Sequence, residues 1–74
     1  MERVIVLTIV HGRPPDTESV PVTQLRVAKE HARERAQTLV NARLTFNIYV
    51  ASESDPNEIY LHVTNDPTTR RVRA

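Results

Sequence analysis

The sequence predicts an α+β domain: a single helix packed on one face of a three- or four-stranded mixed or antiparallel sheet, in the order β–(β)–α–β–β. Three observations predict it. Residues 3–10 (RVIVLTIV) are dominated by β-branched side chains, which favour a pleated strand. Residues 23–41 carry leucines and alanines at helical spacing. Residues 43–51 and 58–64 alternate apolar and polar positions on either side of a short polar loop, the pattern of an antiparallel hairpin.

Each element follows from its residues. Both faces of the first strand are apolar, with Ile5, Leu7 and Ile9 on one side and Val4, Val6, Thr8 and Val10 on the other, so it is expected at the centre of the sheet or with its second face at an interface. Residues 11–17 (HGRPPDT) read as a loop, because Gly12 permits positive φ and Pro14-Pro15 cannot continue a ladder. A short strand over Glu18–Val22 would have to lie on an edge, since Pro21 lacks an amide donor. Thr23 has the side chain of an N-cap, and Val22 and Val27 the spacing of a hydrophobic staple.

The helix that follows places Leu25, Ala28, Ala32, Ala36, Leu39 and Val40 on one stripe, with Asn41 as its left-handed terminus. In the next strand Leu44, Phe46, Ile48 and Val50 point inward and Thr45, Asn47 and Tyr49 outward. In the last, Ile59, Leu61 and Val63 point inward and Tyr60 and His62 outward. If the first and third strands are neighbours, a right-handed crossover through the helix would make them parallel. Residues 1–64 are read as the compact domain and 65–74 as a flexible basic tail with little to bury.

Composition removes several chemistries. With no Cys there is no disulfide, Fe–S cluster or thiolate zinc site, and with one Gly there is no glycine-rich phosphate loop. Ten Lys+Arg against nine Asp+Glu give a net charge of +1, which excludes both a wholly acidic nucleic-acid mimic and a histone-like polycation. The longest apolar run, Val4–Leu7, is far short of a membrane span. The N-terminus does not have the pattern of a secretory signal, and a cytoplasmic location is expected. A chain of 74 residues buries little apolar surface per ordered residue, so self-association or a large partner is the natural source of further stability.

No catalytic constellation emerges. Ser19, Ser52 and Ser54 lie in turn-like or proline-flanked contexts rather than in a nucleophile elbow. Glu53, Asp55 and Glu58 read as solvated hairpin residues rather than a carboxylate pair across a cleft. His31 and Glu34 share a helix face, but no third ligand has motif spacing, and His11, His31 and His62 read as surface histidines. Neither a cofactor, a catalytic residue, a metal nor a small-molecule substrate is expected.

Two surfaces remain. If the helix covers the Ile5/Leu7/Ile9 side, the reverse of the sheet shows Val4, Val6, Val10, Tyr49, Tyr60 and His62, and valines with tyrosines suit a protein partner or a homodimer mate better than stacked bases. An open edge on the first strand would offer another docking mode. The second surface is basic: Arg26, Lys29 and Arg33 at helical spacing, with Arg70, Arg71 and Arg73 in the tail, interrupted by Glu30 and Glu34. The reading taken is a non-catalytic protein-binding module, a regulator or inhibitor of a larger complex, with a nucleic-acid-binding domain as the alternative. In size and element order the chain is similar to small bacteriophage-encoded inhibitors of bacterial machines such as RNA polymerase or CRISPR complexes. The likeness is one of organisation and implies no residue roles.

Overall fold

A computed structural model describes residues 2–55 and 57–68. The elements are β1 (Arg3–Val10), β2 (Asp16–Pro21), a 3₁₀ turn (Val22–Gln24), α1 (Leu25–Asn41), β3 (Phe46–Ser52) and β4 (Ile59–Thr64). One helix packs on one face of a four-stranded sheet of order β2-β1-β3-β4, every neighbouring pair antiparallel. This is the predicted α+β architecture, with β2 on the edge that Pro21 demands.

The expected parallel pairing is corrected. β1 and β3 are neighbours but run antiparallel, because the β1–β2 hairpin reverses the chain before the helix begins. The crossover through α1 therefore joins β2 to β3, which are parallel to each other with β1 between them. β1 is thus central and has no open edge to offer a partner strand.

The phase of β1 is also corrected. Val4, Val6 and Val10 are buried under the helix, while Ile5, Leu7 and Ile9 face the opposite side and are half-buried. With both faces of β1 apolar, alternation alone carries no phase; pairing with β3 supplies it. Val6 lies opposite Val50, Thr8 opposite Ile48 and Val10 opposite Phe46, and these β3 residues form the core with Ala28, Ala32 and Ala36. The buried residues of the helix are the three alanines Ala28, Ala32 and Ala36. Of β1, the short Val and Thr side chains fit beneath the helix, and the longer Ile and Leu side chains take the other face.

Thr23 is not an N-cap. It lies inside the 3₁₀ turn, and Gln24 precedes α1 without a side-chain capping bond. The Val22 amide instead donates to the Glu2 carbonyl at 3.1 Å, tying the turn to the start of β1. At the other end Asn41 is still helical, and Arg43 adopts the left-handed conformation at φ 61°. The Arg43 amide donates to the Val40 carbonyl (2.9 Å) and the Leu44 amide to the Leu39 carbonyl (3.0 Å), so the helix closes in a Schellman motif.

Asn65 and Asp66, read from the sequence as the start of a tail, are tied to the domain. The Phe46 amide donates to Asn65 Oδ1 at 2.9 Å, and Asn65 Nδ2 donates to the Leu44 carbonyl at 2.8 Å. The Asn65 side chain thereby continues the β3–β4 ladder one step past its last strand pair. Asp66 is buried; its amide donates to Thr64 Oγ1, and its Oδ2 lies 3.4 Å from His11 Nε2. Residues 69–74, with Arg70, Arg71 and Arg73, lie outside the described residues.

Two stability changes follow. Asn65→Ala leaves the Phe46 amide without its acceptor and should cost about 1–3 kcal/mol, read as a lower midpoint in urea unfolding. Arg43→Gly relieves the left-handed strain and should raise stability by about 0.5–1 kcal/mol in the same assay.

Candidate protein-binding surface

The face of the sheet turned away from α1 is built in cross-strand rows. Ser19, Ile5, Ala51 and Ile59 form one row across β2, β1, β3 and β4; Thr17, Leu7, Tyr49 and His62 form the next. Ala51 is the smallest residue of the apolar centre. The ring of larger side chains around it leaves a hollow of about 370 Å³, walled by Ile5, Leu7, Tyr49 and Ile59 with Ser52 and Glu53 at its end. Among the described residues no element covers this face, and Ile59 is 50% exposed.

Polar groups frame the hollow. At one end Arg3 Nε donates to Ser19 Oγ (2.9 Å), whose hydroxyl donates to Glu53 Oε2 (3.0 Å); Arg3 also donates to the Ser19 carbonyl. The chain Arg3–Ser19–Glu53 spans β2, β1 and the end of β3 and compensates both charges within the surface. Beyond the hollow, Tyr49 stacks on His62 with ring centroids 4.3 Å apart and planes 10° from parallel. The second row of the face is thereby filled by two fixed rings. A 2.9 Å hydrogen bond between His62 Nε2 and Asn47 Oδ1 holds the imidazole from its far side.

Of the face expected from sequence, Tyr49 and His62 stand where they were placed. Val4, Val6 and Val10 do not; they belong to the core. Tyr60 does not either. An irregularity between Val50 and Ala51 sets Leu61 opposite Val50 but Ile59 opposite Ala51, so the extra residue turns Tyr60 against the core and rolls Ile59 onto the outer face. A hydrogen bond to the Glu58 side chain, with a smaller contribution from desolvation, holds the Tyr60 phenol above its ordinary pKa of 10.0. Ile5, Leu7, Ala51 and Ile59 were missed as surface residues. The signal that could have found them is the alanine stripe, which calls for the slimmer face of residues 3–10 beneath it.

The basic helix face is interleaved with acids. Arg26 is almost fully exposed and lies 3.9 Å from Glu30; Lys29 is half-buried and Arg33 exposed. Arg35, not singled out from the sequence, does the most for the fold. Its Nη1 donates to Thr8 Oγ1 at 2.9 Å, and the guanidinium lies 3.7 Å from Asp16 and 3.8 Å from Glu18, pinning α1 to β1 and β2. The three histidines are dispersed: His11 beside Asp66, His62 on the outer face, and His31 lining a small groove of about 180 Å³ with Val20, Gln24 and Val27. Among the described residues no group of three or more His, Asp or Glu is placed to hold a metal ion, and no helix is long and apolar enough to cross a membrane.

A scan against protein-family models, a search of curated proteins and a search of solved structures each found no match to this chain, so the reading of its function rests on the surface just described.

Proposed function

We propose that this chain is a small non-catalytic protein-binding module, a regulator or inhibitor that docks on a larger protein complex through the outer face of its sheet. The observation that carries the reading is the apolar face that no described element covers, with its hollow between Ile5, Leu7, Tyr49, Ala51 and Ile59. The hollow suits one large apolar side chain of a partner, the kind of pocket in which interface anchors concentrate their energy. The charges at its end are already paired with each other, so they form a hydrated rim and demand no particular counter-charge.

The nucleic-acid alternative draws less support. The outer face has Tyr49 and His62 for stacking, but the arginine beside its hollow, Arg3, is bonded to Ser19, which donates to Glu53. On the helix, Glu30 and Glu34 break the positive potential that phosphates would follow.

The test compares affinity capture by the wild-type chain, Leu7→Glu, and the combined Arg26→Glu/Lys29→Glu/Arg33→Glu variant. Leu7→Glu would bury a carboxylate in the interface and should weaken the captured complex at least ~10-fold while leaving the core intact. The helix variant should capture as wild type. Capture that survives Leu7→Glu and fails with the helix variant, or a low-salt mobility shift of DNA or RNA that the helix variant abolishes, overturns the proposal in favour of the helix surface.

A further inference from the structure

The two edges of the sheet are built differently. β2 (DTESVP) carries Asp16 and Glu18 and ends at Pro21, which has no amide to donate. Charge and proline are the usual guards against strand addition. β4 (IYLHVT) carries neither: no Asp, Glu, Lys, Arg or Pro stands in it, and its irregularity is confined to its start, at Ile59 and Tyr60, ahead of the regularly paired Leu61, His62 and Val63.

The ladder also fixes which main-chain groups of β4 point outward. The Glu53 amide donates to the Arg3 carbonyl and the His11 amide to the Thr45 carbonyl, so the odd-numbered residues of β3 bond to β1. The even-numbered residues bond to β4, as the Ser52 amide does to the Glu58 carbonyl. Ile48 lies opposite Val63 and Val50 opposite Leu61, so Leu61 and Val63 spend their main-chain groups on β3, and His62 directs its N–H and C=O away from the sheet. After β4 the chain does not double back along that edge within the described residues. Asn65 and Asp66 lead it across the strand ends toward Leu44, Phe46 and His11.

We infer that β4 is a self-pairing edge: a second copy of this chain joins it antiparallel, about a two-fold axis through His62, so that two sheets become one with both helices on the same side. The asymmetry of the edges selects this occupant. A sheet with two unguarded edges would propagate head to tail into a fibre, whereas one guarded edge permits only the isologous β4–β4 pairing, which closes. The residues are compatible with it. With His62 opposite His62 of the second copy, the two histidines exchange both main-chain hydrogen bonds, and Leu61 of each copy lies beside Val63 of the other on the helix side, where both are already partly buried. The pairing leaves the hollow between Ile5, Leu7 and Ala51 open, so the dimer would present that surface twice.

Sedimentation of the full chain from micromolar to millimolar concentration tests this, together with isotope-filtered NOEs in a mixed labelled sample. A monomer–dimer equilibrium is expected, with contacts between Leu61 of one copy and Val63 of the other. His62→Pro removes the outward amide and leaves the amides of Leu61 and Val63 in place; it should raise the dimer Kd at least ~10-fold. His62→Lys, which sets two like charges face to face, should do the same and serves if the proline variant does not fold. Leu7→Glu should leave the dimer intact, which separates this edge from the protein-binding face. A strict monomer over the whole range overturns the inference. So does a dimer that Leu7→Glu dissociates and the His62 variants do not.

Discussion

The close seating of a methyl-lined helix on a sheet governs this molecule. Ala28, Ala32 and Ala36 are all buried, and beneath them lie Val4, Val6, Ile48, Val50 and Phe46. Alanine spends no side-chain entropy on burial and keeps the helix low over the strands. A single rod of 17 residues covers one side of a four-stranded sheet and no more. The placement of the small residues thus decides which side of β1 is interior, and through the pairing with β3 it decides which side of the whole sheet meets solvent.

The legible part of the fold was the part with one apolar face. Residues 46–50 alternate without ambiguity, and both their strand and its inward set were correctly read; so were the alanine stripe and the edge position forced by Pro21. What was not legible has a common cause. Residues 3–10 are apolar on both sides, so their phase depends on a neighbour far along the chain. The irregularity opposite Val50 shifts residues 59 and 60 by one position, and no residue in IYLHVT signals it. Thr23 resembles a cap, but the amide of Val22 is claimed by the Glu2 carbonyl and the chain enters the helix through a 3₁₀ turn instead. The left-handed position fell on Arg43 rather than Asn41, because the Schellman bonds to Leu39 and Val40 set the end of the helix two residues further on.

The same reasoning separates the surface that was found from the one that was expected. Tyr49 and His62 were legible because β3 and β4 alternate where they lie. The hollow beside them was not, because it is made by what Ala51 lacks: a small residue among larger ones is visible as a cavity only once the rows across the sheet are known. The acidic residues of β2 show their purpose in the same delayed way. In the sequence Asp16 falls in the expected loop and Glu18 opens the expected edge strand, with nothing to link them to the helix, yet in three dimensions both lie against Arg35 and border the sheet.

That guanidinium has a mechanical corollary. β2 contributes no fully buried side chain, and its hold on the helix runs through Val20 and the contacts of one arginine with two carboxylates. Peeling β2 from β1 would therefore uncover the interior only along the flank where Val20 lies beside Val4, whereas β3 holds Phe46, Ile48 and Val50 of the core itself. The domain has a soft flank and a hard one, and because the soft flank is tethered by partly solvated charges, its grip loosens with ionic strength while the centre stays shut.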